Sequence, residues 1–120
     1  MEGFTELPGT DGNVLKKITK EGTGVIFPKA GQKVSVHYKG YLKDGKVFDQ
    51  SRKKKSSKPF VFKFGVGQVI KGWDAGVATM KKGECATFYI KSDYAYGSMG
   101  AGEDIPPNTD LYFDIEMVNF

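Results

Sequence analysis

One tryptophan occurs in this chain, and it lies in the stretch Gly67 Gln68 Val69 Ile70 Lys71 Gly72 Trp73 Asp74 Ala75 Gly76 Val77. Ile70, Trp73 and Val77 stand at positions i, i+3 and i+7, a spacing that puts side chains on one face of a helix. The stretch therefore predicts a short helix with one apolar face that must pack against other apolar groups. Nine Phe and six Tyr are available to meet it. An aromatic pocket is the first prediction.

Alternation of apolar and polar residues predicts strands on both sides of this helix. Before it, strands are expected at 13–19 and 33–42, then a turn at Asp44 Gly45, a return strand from Val47, and an aromatic strand at 60–64. After it, strands are expected at 86–90 and 111–117. Antiparallel strands with one short helix place the chain in the α+β class, with about five strands packed on the helix.

The connection 91–110 between the last two strands is long and contains Tyr94, Tyr96, three glycines and two prolines. Loops of this length in a compact domain are usually functional. We therefore expect a flap with stiff ends and a pliable middle.

Length and composition indicate one globular domain of 120 residues, 39% hydrophobic and 27% charged. Residues 1–12 are predicted to form a flexible N-terminal arm, and residues 13–120 the domain. No apolar run is long enough to span a membrane, and residues 1–5 lack the layout of a signal peptide. The single cysteine, Cys85, has no internal disulfide partner. These features favour a cytoplasmic protein without a membrane partner.

A basic cluster comprises Arg52, Lys53, Lys54, Lys55 and Lys58, with Ser56 and Ser57 among them. Short clusters of this kind are common in solvated loops, so a mobile loop is the prediction. A nucleic-acid or nuclear-import patch is the alternative, and it would add the nucleus to the expected locations. We expect no nucleic-acid partner.

Residues for covalent catalysis are nearly absent. Cys85 begins a core strand and is predicted to be a buried structural thiol, while His37 lies within a strand and is predicted to be structural or at the surface. The chain lacks the spacing of a metal site, and the glycines at 97–102 lack the ending of a phosphate-binding loop. Glu103 and Asp104 are expected at a solvated loop tip. We expect no metal and no cofactor.

Rotation about a peptide bond is a reaction that needs no covalent partner. Its barrier is about 18–20 kcal/mol and depends on amide resonance, which water strengthens by hydrogen-bonding the carbonyl oxygen. Bonds that precede proline are suitable substrates, because their cis and trans forms differ by only about 0.5–1 kcal/mol. An apolar aromatic pocket that excludes water would lower this barrier and would fit a proline ring.

The chain resembles the FKBP-type peptidyl-prolyl isomerases, the immunophilins that bind rapamycin and tacrolimus. The likeness covers about residues 13–120 and rests on motifs in order: Val36 His37 Tyr38 Lys39 Gly40, Gly45 Lys46 Val47 Phe48 Asp49 with Ser51 Arg52, Pro59 Phe60 with Phe62, Val69 Ile70 Lys71 Gly72 Trp73, Asp93 Tyr94 Ala95 Tyr96 Gly97, Ile105 Pro106 Pro107, and Leu111 with Phe113 Asp114. The resemblance implies a five-stranded antiparallel half β-barrel wrapped around the short helix.

The same resemblance implies the site residues. Trp73 would form the floor of the pocket, and the catalytic groups would be Asp49, the Tyr96 hydroxyl and the backbone N–H of Ile70. Asp49 would be steadied by Tyr38 and Arg52. The full set of substrate-binding and drug-binding residues is Tyr38, Phe48, Asp49, Arg52, Phe60, Val69, Ile70, Trp73, Tyr96, Ile105 and Phe113.

The resemblance also implies partners. These are proline-containing peptides and proteins during protein folding, rapamycin and tacrolimus, and calcineurin or a chaperone, with the protein acting as a monomer. Ala101 and Asp104 depart from the commoner family pattern, which bears on flap contacts and drug affinity. The alternative function is a non-catalytic module that binds proline segments or serves as a co-chaperone.

Overall fold

The computed structural model describes residues 2–52 and 57–120, so the predictions for lysines 53–55 and Ser56 lie outside the described residues. The described residues form seven strands and one α-helix. The strands are β1 (Thr5–Glu6), β2 (Val14–Lys20), β3 (Lys33–Tyr41), β4 (Val47–Gln50), β5 (Phe60–Lys63), β6 (Cys85–Ile90) and β7 (Leu111–Asn119), and the helix is α1 (Lys71–Val77). No helix in the described part is long and apolar enough to cross a membrane.

All strand pairs are antiparallel, in the order β1-β2-β6-β7-β3-β4, with β5 also paired to β3. β4 pairs with the end of β3 near Tyr41, and β5 pairs with its beginning near Lys33, so the two strands share one edge of β3. The α+β class is confirmed. The predicted number of about five strands is too low; β1 was not predicted, because its two residues have no periodicity to detect.

Within residues 1–12, which were predicted to be flexible, Thr5 and Glu6 pair with Lys16 and Leu15 of β2. The Leu7 N–H also donates to the carbonyl of Val14 at 2.9 Å. The segment thus has a backbone connection to the sheet, and its flexibility stays a prediction.

The core lies between α1 and one face of the sheet. Period-two alternation buries Leu111, Phe113, Ile115 and Met117 of β7, as the sequence pattern predicts. Val77 and Trp73 supply the helix side of this core. Burial of these apolar side chains is the main stabilising contribution to the fold.

Two glycines set how closely α1 approaches the sheet. A Cβ atom on Gly72 would lie 2.5 Å from Ile90 Cγ2, and one on Gly76 would lie 2.8 Å from Phe88 Cε1. Both glycines are buried. The helix therefore lies directly on β6, and this close packing explains why glycines flank Trp73.

Candidate active site

An aromatic cavity of about 260 Å³ opens beside the start of α1. Its lining residues come from four strands, from the helix and its approach, and from the flap: Tyr38, Phe48, Asp49, Phe60, Gln68, Val69, Ile70, Trp73, Tyr96 and Phe113. The structure thus brings together nine of the eleven residues predicted for the site. Gln68 was missed, because an isolated glutamine in a loop carries no periodic signal.

Trp73 closes the bottom of this cavity. Its side chain is only 4% exposed. Ring centroids of Tyr38, Phe113, Phe62 and Phe60 lie at 5.0, 5.4, 5.6 and 5.9 Å from it, mostly in edge-on or tilted arrangements that aromatic pairs favour. The indole Nε1 is buried and has no hydrogen-bond partner among the described residues. The floor is therefore an aromatic surface that contains one buried N–H donor without a partner among the described residues.

Gly40 allows two walls of the cavity to meet. It lies in β3 opposite Asp49 of β4 and Phe113 of β7. A Cβ atom here would lie 2.6 Å from Phe48 Cζ and 2.7 Å from Phe113 Cε1, whereas the two rings now pack edge to face at 5.6 Å. The sequence motif contained this glycine, but only the three-strand arrangement shows why a side chain is excluded.

Polar groups occur at the rim of the cavity. The Tyr38 hydroxyl donates to Asp49 Oδ2 at 2.6 Å, and Asp49 Oδ1 accepts the Gln50 N–H at 2.8 Å. Burial and the hydrogen bond to Asp49 raise the pKa of Tyr38 well above its ordinary value. Tyr38 therefore stays neutral and holds the carboxylate at neutral pH. The predicted contact between Tyr38 and Asp49 is present.

Tyr96 enters the cavity from the flap with a 40% exposed side chain. Burial, followed by the charge of Asp49, raises the pKa of Tyr96. Its hydroxyl makes no hydrogen bond to any other described residue, so the proton is available to an incoming acceptor. Tyr96 thus offers a neutral donor beside a carboxylate acceptor.

Ile70 contributes both a side chain and a backbone donor. It is the residue before α1, and its carbonyl accepts the Trp73 N–H at 2.9 Å. Its own N–H has no backbone acceptor in the described part of the chain. The rim therefore presents an unpaired backbone N–H next to the aromatic floor.

Arg52 does not join the cavity, and its predicted role beside Asp49 is wrong. Its Nη2 donates to Glu116 Oε1 at 2.9 Å. Asp49 and Arg52 differ by an odd number of residues, and alternation along the chain carries Arg52 to the opposite face of the sheet, where Gln50 also lies. The resemblance alone had suggested Asp49 as the partner of Arg52.

Ile105 also lies outside the cavity lining. It is 5% exposed and belongs to the core, and its backbone pairs with Ala101 through hydrogen bonds of 2.8 and 3.1 Å. This pairing folds the flap back on itself. Its predicted apolar contact with a ligand is therefore not made by the cavity as it stands.

Hydrogen bonds connect the ends of the flap to β6 and to each other, while its stiffness stays a prediction. Asp110 accepts hydrogen bonds from the Tyr89 hydroxyl and from the Ser92 N–H, which joins both ends of the connection to β6. The Asn108 N–H donates to the carbonyl of Gly97 at 2.8 Å. In the middle of the flap, by contrast, Met99 is 87% exposed.

A larger cavity of about 360 Å³ lies on the other face of the sheet, and the residues around it include His37, Arg52, Cys85 and Glu116. Burial and the charge of Glu116 raise the pKa of the Cys85 thiol, which keeps it protonated and weakly nucleophilic. His37 Nδ1 contacts Ser51 Oγ at 2.9 Å, but this oxygen also accepts the Tyr38 N–H. These contacts join Ser51, just after β4, to the middle of β3.

Among residues 2–52 and 57–120, no three His, Cys, Asp or Glu side chains are grouped closely enough to hold a metal ion. The aromatic cavity presents binding groups of another kind. It combines an apolar floor with an acceptor, a hydroxyl donor and a backbone donor at the rim.

Several known proteins are similar to this chain. The family model for FKBP-type peptidyl-prolyl cis-trans isomerase matches residues 24–118. FK506-binding protein 1 of Dictyostelium discoideum is 53% identical over 103 residues, which is 86% of this chain and 94% of that protein. Human peptidyl-prolyl cis-trans isomerase FKBP4 is 48% identical over 120 residues, all of this chain but 26% of that protein.

A solved peptidyl-prolyl cis-trans isomerase from Pseudomonas syringae has the same fold, with a TM-score of 0.84 and 39% identity, covering 99% of this chain and 81% of that one. These matches confirm the resemblance and the isomerase activity that it implied. The chain therefore belongs to the FKBP-type peptidyl-prolyl cis-trans isomerase family.

Proposed function

We propose that the aromatic cavity holds the proline ring of an X-Pro segment against Trp73 and speeds isomerisation by binding the twisted amide better than either planar form. The observation that supports this most directly is the buried aromatic floor beneath a polar rim. Excluding water from the amide carbonyl weakens the resonance that maintains the barrier. Only interactions that strengthen in the transition state raise the rate.

Three rim groups act on the twisted amide in this proposal. The Ile70 N–H and the Tyr96 hydroxyl donate to substrate carbonyls, and Asp49, held by Tyr38 at 2.6 Å, accepts from a substrate or ligand donor. No proton is transferred between protein and substrate. A reduction of the barrier by about 4 kcal/mol would give roughly a thousandfold acceleration.

The direct test is exchange of a Leu-Pro peptide with and without the protein. We expect acceleration whose kcat/KM is flat between about pH 6 and 8, the range in which histidine titrates. The raised pKa values of Tyr38 and Tyr96 keep both hydroxyls protonated throughout this range, since a tyrosine loses its proton only above its pKa. His37 lines the cavity on the other face of the sheet. Absence of acceleration, or a steep bell-shaped profile, would contradict the mechanism.

Rapamycin and tacrolimus are the proposed drug ligands. The name of the Dictyostelium relative says that it binds FK506, which is tacrolimus. Trp73 is the only tryptophan, so its fluorescence reports on the floor of the cavity alone. We expect the emission to change when rapamycin is added, and Tyr96→Phe to weaken binding by about tenfold through loss of one hydrogen bond.

Tyr94→Phe is the matched control for this titration. Tyr94 lies two residues away and its ring lies under Lys71 Nζ at 4.6 Å, a contact that phenylalanine keeps. Its affinity should equal that of the wild type. Equal weakening in both variants, or binding without any change in emission, would mean that the drug does not bind on the Trp73 floor through Tyr96.

Wider roles follow from the family and stay proposals. They include folding of proline-containing client proteins, a cytoplasmic or nuclear location, and calcineurin or a chaperone as partner. The chain spans about a quarter of the human relative, 26% of its length. Partners of that longer protein therefore cannot be assigned to this chain by similarity. Binding without acceleration would favour the non-catalytic alternative.

A further inference from the structure

The segment between β5 and α1, residues 64–70, carries the rim residues Gln68, Val69 and Ile70. Two of its residues, Gly65 and Gly67, have φ of +77° each. Glycine adopts many backbone conformations at similar energy, so a segment with two glycines does not fix its own path. Contacts with the rest of the protein must hold the rim in place.

Asp74 supplies such contacts from the helix. Its Oδ1 accepts the Gly65 N–H at 2.9 Å, and its Oδ2 accepts the Gly67 N–H at 3.1 Å. The two oxygens of one carboxylate thus accept hydrogen bonds from the backbone of the two glycines. Because Asp74 follows Trp73 directly, the same turn of helix carries the cavity floor and the anchor of its rim.

The other side of the segment is anchored separately. Gln68 Oε1 accepts the Lys63 N–H of β5 at 2.8 Å. No Lys or Arg of the described residues forms an ion pair with Asp74, and the ammonium of the nearby Lys71 lies over the Tyr94 ring. Within the described chain, the Asp74 carboxylate therefore bonds only to this segment.

We propose that Asp74 is a positioning residue for the isomerase site, acting through the backbone of residues 65–67 to keep Val69 and the Ile70 N–H in the binding arrangement before substrate arrives. The proposal rests on the function proposed above. Without the carboxylate, only a fraction of molecules has a formed rim, and apparent affinity falls by that fraction. Substrate then orders the rim, so the bound state reacts normally.

The test is the kinetics of Asp74→Asn on the Leu-Pro peptide. Asparagine has the same shape, but its NH₂ group would face one of the two backbone N–H groups and lose that bond. We expect KM to rise about tenfold and kcat to stay within about twofold. Asp74→Glu keeps both acceptor oxygens, so its KM should rise by no more than half as much on a logarithmic scale.

Asp11→Asn is the matched control. Asp11 is exposed and has φ of 54°, a conformation that asparagine tolerates equally well. Its kinetics should equal those of the wild type. If Asp74 only stabilised the fold, Asp74→Asn would lower the active fraction and kcat while KM stayed constant.

Backbone amide NMR of the free protein gives the independent readout. The Gly65, Gly67 and Ile70 signals should shift or broaden in Asp74→Asn and not in Asp11→Asn. Unchanged KM, or a glutamate variant as impaired as the asparagine variant, overturns the proposal. A wild-type protein without isomerase activity would instead overturn the proposed function, and the amide signals would still show whether Asp74 holds the rim.

Discussion

Lys16→Met is expected to lower the free energy of unfolding by about 3–5 kcal/mol, because it leaves a buried carboxylate without its counter-charge. Lys16 Nζ lies 2.7 Å from Glu84 Oε2, and the two side chains are only 10% and 3% exposed. This oxygen has no other partner among the described residues. Urea denaturation of the variant and the wild type at neutral pH measures the difference.

The position of this pair explains why it is retained inside the protein. Lys16 Nζ also donates to the carbonyl and the hydroxyl of Thr79, each at 3.0 Å. Thr79 lies just after α1, and Glu84 just before β6. The ion pair therefore fixes the end of the helix against β2 and the turn into β6, while lying outside the aromatic cavity.

Two controls make the result interpretable. Lys17→Met changes an exposed neighbour in the same strand and should alter stability by no more than about 0.5 kcal/mol. The double variant Lys16→Met/Glu84→Met should recover most of the loss, since well-packed apolar residues can replace a buried pair at little cost. A single variant no worse than Lys17→Met, or a double variant with additive losses, would show that the pair is not coupled.

The repeat of apolar residues along a single strand or helix correctly predicted which side chains face the core. Alternation along 111–117 correctly placed Phe113 on the inner face, and helical spacing correctly placed Trp73 and Val77 against the core. Both predictions depend only on the residue spacing within one strand or helix, which sets the face that each side chain occupies. The membership of Tyr38 and Phe48 in the cavity came from the resemblance, and the geometry agrees with it.

Predictions failed where the partner of a residue is set by the path of a distant segment. The resemblance assigned Arg52 to Asp49, yet Glu116 of β7 is its partner. The resemblance placed Ile105 at the cavity, and the pairing of its loop with Ala101 cannot be seen in the sequence. The close approach at Gly40 and the Lys16–Glu84 pair likewise exist only once several strands are assembled.

Trp73→Ala is the second change with a large expected effect. It removes a buried ring that packs on Tyr38, Phe60, Phe62 and Phe113, and we expect a loss of about 3–5 kcal/mol in the free energy of unfolding. Opening the floor would also admit water to the amide carbonyl. We therefore expect kcat/KM for the Leu-Pro peptide to fall at least about tenfold, measured well below the unfolding temperature.

Two variants on the same helix separate these effects. Val77→Ala truncates a fully buried side chain that does not line the cavity, so it should lower stability and leave kcat/KM unchanged. Trp73→Phe keeps an aromatic floor and loses no hydrogen bond, because the indole Nε1 has no partner among the described residues. It should cost less than about 1.5 kcal/mol and retain most of the activity.

If Trp73→Phe were as impaired as Trp73→Ala, the indole N–H would have a role that an apolar floor does not explain. If Val77→Ala lost activity in parallel with stability, the effect of Trp73→Ala on kcat/KM would reflect the fold and not the floor.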